Sequence, residues 1–179
     1  MIGKQGEFVE QVKQTVDSML AQVHTCAPGK IVSFDPDTCQ ATVLPAMKIK
    51  KPNGEMLEYP QITGVPVLFP QSSAQGTTIA YPVKAGDGCL VLFSEQALDQ
   101  FLYQRDTGTD LRFDLSNAVA IVGIFAKGNS AMKKACANSS VIIQNGGVSL
   151  EVSSGGVTIT GNVTIKGNLT TSGGKVYLN

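Results

Sequence analysis

The hydrophobic rhythm of the chain changes twice. Over residues 4–24 the apolar positions fall three and four apart, at Val9, Val12, Val16, Met19 and Val23. That spacing predicts an amphipathic helix with an a/d seam, and Lys4, Glu7, Glu10, Lys13 and Asp17 lie off it. Two heptads fit a short coiled coil or a helix laid on a domain or partner equally well. Residues 30–125 switch to alternation, which predicts strands. After residue 140 the chain breaks into short β-branched bursts separated by Gly, Asn and Ser.

The middle region reads as all-β. Lys30–Phe34 and Thr38–Leu44 flank the turn sequence Asp35-Pro36-Asp37. Met47–Lys51 and Glu55–Tyr59 flank Pro52-Asn53-Gly54, a hairpin signal. Val65–Phe69, Thr77–Ala80, Cys89–Phe93 and Ala118–Phe125 complete the strands. Ser94–Tyr103 predicts a helical turn with Leu98, Phe101 and Leu102 inward. Pro28-Gly29 is expected to stop the first helix, leaving His24 at a solvated end. Five or six curved strands with a late short helix fit a Greek-key barrel of OB type. Lys127–Ser140 is small and polar and reads as a linker or collar, with Lys127, Lys133 and Lys134 on a solvated face. The organisation expected is therefore helix 1–25, barrel 26–126, collar 127–140 and a repetitive tail 141–179.

In the tail, Val148, Leu150 and Val152 share one strand face. Val157, Ile159, Val163, Ile165 and Leu169 continue it, and Val176, Tyr177, Leu178 and Asn179 end the chain. Strands begin six to nine residues apart, which fits either a narrow β-helix or a small meander. Ordering backbone costs about 1–2 kcal/mol per residue. Burying an aliphatic side chain returns about 1.5–3 kcal/mol only if something covers it. The segment holds one apolar stripe and no second sheet to cover it. The expected cover is another copy of the chain, with three chains wound about one axis.

Composition narrows the function. There are 14 basic and 14 acidic residues, so the formal net charge is zero. Nucleic-acid binders usually carry a basic excess. The start MIGKQGEFVEQVKQ has no apolar stretch of signal-peptide type, and the run Ala118–Ala126 is too short to span a bilayer. The four cysteines, Cys26, Cys39, Cys89 and Cys136, form no close pair, and His24 is the sole histidine. No zinc-type ligand spacing results, and no metal or other cofactor is expected. Cys39 and Cys89 lie in strand-like runs and are expected to be buried.

One phrase carries a resemblance. Pro82-Val83-Lys84-Ala85-Gly86-Asp87-Gly88-Cys89-Leu90-Val91-Leu92-Phe93 is followed by Leu111-Arg112-Phe113-Asp114-Leu115-Ser116-Asn117-Ala118 and then Ala120-Ile121-Val122-Gly123. Preceded by a helix and followed by a Gly- and Thr-rich repeat, it resembles the OB domain of the membrane-puncturing central spikes of contractile-tailed phages. It is also similar to the Mu-type baseplate assembly protein V. The resemblance implies a mainly β homotrimer with an N-terminal helix, an OB-type barrel and a C-terminal triple-stranded, intertwined β-helix. It implies assembly in the host cytoplasm, a place at the virion tail tip, a baseplate hub as partner and transient contact with the host outer membrane. On that picture Val9, Val12, Val16, Met19 and Val23 face the hub or the trimer seam. The stripe from Val148 to Leu169 lines the axis, and Val176–Asn179 meets the tip. The chain has no room for the lysozyme-like insertion of some members. It lacks the His-X-His end that binds a metal in others. A separate PAAR-type tip protein would then cap it, unless the chain is truncated or Val176, Tyr177 and Leu178 plug the end themselves.

The residues also allow other functions. Gly86 and Gly88 are expected to supply a positive-φ turn that Asp87 braces, and Asp114 an Asx turn with Ser116 and Asn117. Read catalytically, Asp87 with Asp114, or Glu95 with Asp99, would be a carboxylate pair, but no base or nucleophile accompanies them and no enzyme is expected. An OB-type module could stack bases on aromatics. Phe34, Tyr59, Phe69, Tyr81, Phe93, Tyr103, Phe113 and Phe125 read mostly as core. The remaining alternative is a trimeric receptor-binding fibre tip.

Overall fold

The computed structural model describes residues 2–51, 53–105, 108, 110–124 and 128–174, with backbone alone for 2–5 and 73. The chain divides into two compact units, Met1–Ala126 and Lys127–Asn179. It is mainly β.

The first unit opens with helix α1 (Ile2–Leu20). The helix ends four residues before the expected limit, so Val23 lies beyond it. Residues 21–23 close it with turn bonds, ending with the Val23 N–H on the Leu20 carbonyl. Pro28 and Gly29 do not act as the stop, because they sit inside strand β1 (Cys26–Asp35). His24 sets the boundary instead. Its N–H donates to the Phe113 carbonyl at 3.2 Å, and its ring packs on Tyr59 and Phe93. It is half-buried rather than solvated.

The strands that follow are β2 (Gln40–Pro45), β3 (Lys48–Lys50), β4 (Met56–Glu58), β5 (Ile62–Pro66), β6 (Gln71–Ser72), β7 (Thr77–Thr78) and β8 (Gly88–Phe93). After helix α2 (Asp99–Tyr103) comes β9 (Ala118–Val122). A five-stranded antiparallel sheet runs in the order β5-β2-β1-β8-β9. Register shifts between Ile31 and Ser33 and between Ala41 and Val43 mark bulges. Bulges bend strands and increase twist, which curls a sheet. The curl brings the two ends of the order together. Val67 forms a parallel bridge with Ala120, and the Leu68 N–H reaches the Ala120 carbonyl at 2.9 Å. The strands β3 and β4 form the expected hairpin separately.

Alternation places the core on the inside of the curl. Ala27 and Ile31 of β1, Ala41 and Val43 of β2, and Ile62 and Val65 of β5 are buried. So are Cys89, Val91 and Phe93 of β8, and Ala118 and Ala120 of β9. Cys39 departs from its expected burial. It closes the β1–β2 turn with φ 54°, outside the strand alternation, and is exposed. The α2 reading also needs correction. Leu98 is half-buried, but Phe101 is 85% exposed and Leu102 is exposed. A five-residue helix at the sheet margin has little core to face.

The second unit begins with a helix where a collar was expected. Helix α3 (Ser130–Asn138) is capped by Asn129, whose side chain accepts from the Ala131 N–H at 2.8 Å. An Asn cap of this kind stabilises a helix by about 0.5–2 kcal/mol. Strands β10 (Val141–Asn145), β11 (Val148–Ser153) and β12 (Gly156–Thr160) follow as an antiparallel meander. This is one of the two arrangements that the spacing allows. Residues 161–174 carry no strand.

Candidate functional sites: two apolar faces and a braced loop

The meander register sorts its side chains. Leu150 lies opposite Ile143 and Ile159, and Val152 lies opposite Val141 and Val157. Directly opposed residues share a face. Val141, Ile143, Val148, Leu150, Val152, Val157 and Ile159 therefore form one apolar face. The sequence reading found all of these except Val141 and Ile143, whose run Val141-Ile142-Ile143 hides the alternation. Leu150 is half-buried, and the others are 43–67% exposed. Val163, Ile165 and Leu169 continue the apolar exposure along the chain. A hollow of about 450 Å³ on this face is lined in part by Ile143, Val148, Leu150, Ile159 and Val163. The named end residues Val176, Tyr177, Leu178 and Asn179 lie outside the described residues.

The opposite face carries Ile142, Ser149, Glu151 and Thr158 by the same register. Here the Glu151 carboxylate accepts from Lys134 Nζ at 2.8 Å, Asn138 Nδ2 at 2.9 Å and Ser140 Oγ at 2.8 Å. The Lys134 bond, then those from Asn138 and Ser140, pull its pKa down to about 2. Lys134 is thus not simply a solvated charge.

In the first unit, Val9, Val12, Val16, Met19 and Val23 are 45–66% exposed. Phe8 and Leu20 add to this surface. The helix thus offers a second uncovered apolar face.

The 84–88 loop is braced as the residue types require. The Lys84 N–H donates to the Asp87 carboxylate at 2.7 Å. Ile31 bonds the loop twice, its N–H to the Asp87 carbonyl and its carbonyl from the Gly86 N–H. Gly86 has φ 95°. Gly88 does not share that conformation, contrary to expectation, and its lack of a side chain serves close approach to Ile124 instead. Asp114 accepts from the Ser116 hydroxyl and N–H, which hold its carboxyl below the usual range.

Sequence reasoning named Asn117 only as part of the Asp114 turn and missed the contacts of its side chain. Asn117 is 4% exposed. Its Nδ2 donates to the carbonyls of Ser94, Gln96 and Leu111, and its Oδ1 accepts from the Leu98 N–H. One side chain therefore ties Ser94, Gln96, Leu98 and Leu111 to the start of β9. Beyond its place in that turn, the sequence signal was a polar residue directly before an apolar strand.

The aromatics bear out the expected core in part, with Phe93 in it and Phe34 and Phe69 packed against it. Phe93 is buried, but Phe34, Tyr59, Phe69 and Phe113 are half-buried, and Tyr81 and Tyr103 are exposed. Phe125 lies outside the described residues. Phe34, Phe69 and Tyr81 also line a groove of about 430 Å³ with Pro36, Pro82 and Val83. Phe34 is the penultimate residue of β1, and Phe69 and Tyr81 lie outside the strands, so the rings gather at the margin of the sheet. Among the described residues no group of three or more His, Cys, Asp or Glu is placed to hold a metal. Among them, too, no helix is long and apolar enough to cross a membrane.

These features define a mainly β protein with a curled sheet domain, a strand-rich tail and two uncovered apolar faces. The model of the family described as phage protein Gp138 N-terminal domain matches residues 27–123, from β1 through β9. The match takes in more than half of the 179 residues, and the chain belongs to this family of phage proteins. No curated protein matches it.

Proposed function

We propose that the chain is a structural protein of the phage virion and forms a homotrimeric central spike at the tail tip. In this reading a contractile machine drives it through the host envelope. The observation that carries the proposal is the bare apolar face from Val141 to Ile159, continued by Val163, Ile165 and Leu169. Three copies packed about one axis would bury that stripe from all sides. Gly161 and Gly167, six residues apart, both take positive φ, which suits corners between short rungs. In the wound form, residues 161–174 would find their backbone partners on neighbouring copies, giving a triple-stranded β-helix. Such a rod is stiff because bending it breaks several backbone hydrogen bonds together.

The sheet order supports an OB-type barrel for residues 26–126. Its first three strands pair in sequence, the fourth pairs with the first, and the third meets the fifth in the Val67–Ala120 bridge. Membership of a phage family supports a role in the virion. The exposed stripe of α1 would pack along the trimer seam or on a baseplate hub. A separate PAAR-type protein would cap the tip, and the outer membrane would be met only in passage. The reading includes no catalytic role.

The test is light scattering behind a sizing column. The expected mass is about three times 18.8 kDa. A mass near 18.8 kDa would overturn the proposal. Labelled chain seen by electron microscopy at the tail periphery, rather than on its axis, would exclude the spike role and favour a receptor-binding fibre.

The aromatic groove favours a second reading, an OB-type binding module. Its lining includes no Lys or Arg. Single-strand binding draws most of its affinity from neutralised phosphates. Filter retention of an oligonucleotide, tight at low salt and lost at high salt, would favour this reading over the spike.

A further inference from the structure

The two faces of the meander are treated differently. The apolar face is bare, while the other is held against α3. Ala131, Lys134, Ala135 and Asn138 are spaced i, i+3, i+4 and i+7, which places them on one side of the helix. Ala131 and Ala135 are half-buried, as is Ile142 of β10. Lys134 and Asn138 reach past β10 to Glu151 on β11, and Ser140 joins them from the connection. The Glu151 side chain is left only 13% exposed. Ser139 takes the left-handed conformation, φ 49°, that turns the chain directly from α3 into β10.

We propose that α3, fixed by Glu151, is a one-sided cover that leaves the meander only its apolar face for packing against further copies of the chain. This rests on the homotrimer reading for what occupies the bare face. A β-sheet presents two faces, and a sheet able to pack on both has no reason to stop at a closed assembly. With Ile142 uncovered, the second face would offer an aliphatic centre framed by Ser and Thr. Covering it converts an open-ended stacking surface into a one-sided one. Open heterologous association makes filaments, whereas closed association gives a defined oligomer. Glu151 acts through α3 and is a positioning residue. Three donors from α3 and its connection converge on one carboxylate, so the helix is fixed in place and in angle.

The test combines Glu151→Ala with hydrogen exchange. In the wild type, the α3 amides at Lys134–Asn138 are expected to exchange at rates near those of β11. In Glu151→Ala they should exchange at least about tenfold faster, and the defined trimer should give way to larger, heterogeneous species. A homogeneous Glu151→Ala trimer with unchanged α3 exchange overturns the cover and leaves the trimer reading standing. A wild-type mass near 18.8 kDa overturns the trimer reading itself. If Glu151→Ala does not fold, Lys134→Ala carries the same test, because it removes one donor and leaves the carboxylate two partners.

Discussion

A Cβ placed on Gly88 would stand 2.5 Å from the carbonyl oxygen of Ile124. The neighbouring backbone is tied in the same place, since the Gly123 N–H donates to the Gly88 carbonyl at 3.1 Å. Gly88→Ala must therefore push two strand ends apart rather than rotate a side chain. Overpacking of this kind costs about 1–3 kcal/mol. The urea midpoint is expected to fall by that cost divided by the denaturant slope m. An unchanged midpoint would show that the ends of β8 and β9 are not held this closely.

Asn117 should be one of the most sensitive polar positions. Asn117→Ala leaves the Leu98 N–H and the Gln96 carbonyl without their partner, while the Ser94 and Leu111 carbonyls keep the Phe113 and Asp114 N–H donors. A buried polar group left unpaired costs about 1–3 kcal/mol, so a total loss of about 2–4 kcal/mol is expected after local relaxation. Asn117→Asp should be worse at neutral pH, because it sets a carboxylate against carbonyl oxygens. Chemical denaturation of both variants checks this order, and equal midpoints would contradict it.

The apolar face and the core make opposite predictions. Ile31→Ala opens a cavity at a residue 2% exposed and should cost about 2–5 kcal/mol. Ile159→Asp sits at a residue 52% exposed within one chain and should leave the folding of a single chain within about 0.5 kcal/mol. Its effect should fall on assembly, reducing the scattering mass from trimer toward monomer. A trimer that tolerates the aspartate would show that this face is not the packing surface.

The Glu151 contacts make α3 sensitive to acid. Lys134, Asn138 and Ser140 lower the Glu151 pKa from 4.5 to about 2. A lowered carboxylate contributes stability that is full above its unfolded value and falls away as pH drops through its folded value. The loss should therefore lie between about pH 4.5 and pH 2. Hydrogen exchange of α3, followed down that range, should rise in the wild type relative to intrinsic rates. In Glu151→Gln the corresponding pH step should be absent.

Cys89 should report global opening. It is fully buried, and burial pushes its thiol up to about 11. Native protein should leave one of its four thiols unreactive toward an aromatic disulfide reagent until urea unfolds the sheet. Rapid reaction of all four would place Cys89 outside the core.

Turns and alternation were the legible parts of the fold. Asp35-Pro36-Asp37 turns because the Asp35 carboxylate bonds the Asp37 N–H and the Thr38 hydroxyl, a contact local enough to read from three residues. Val91 and Val43 alternate inward because a strand has period two. Most of the tail stripe was legible for the same reason. The contacts that escaped are non-local. Nothing near His24 announces that it will pack on Tyr59 and Phe93. Nor does the small, polar run before β10 reveal that Glu151, on a later strand, will hold it as a helix. Cys39 was misplaced because alternation continues on paper past the residue where the strand ends, and Phe101 because a five-residue helix at the sheet margin has little core to face.

The bridge between Val67 and Ala120 bears on how the sheet would answer a pull. Neighbouring strands such as β8 and β9 are paired over five residues, from Cys89–Val122 to Phe93–Ala118. The junction of the sheet's two ends has one bridge and the Leu68 amide bond. A ladder loaded along its length shares force among its rungs, but a single rung bears it alone. Under tension the sheet should part at Val67 before any ladder shears, opening along a fixed line while β1, β2 and β8 stay joined.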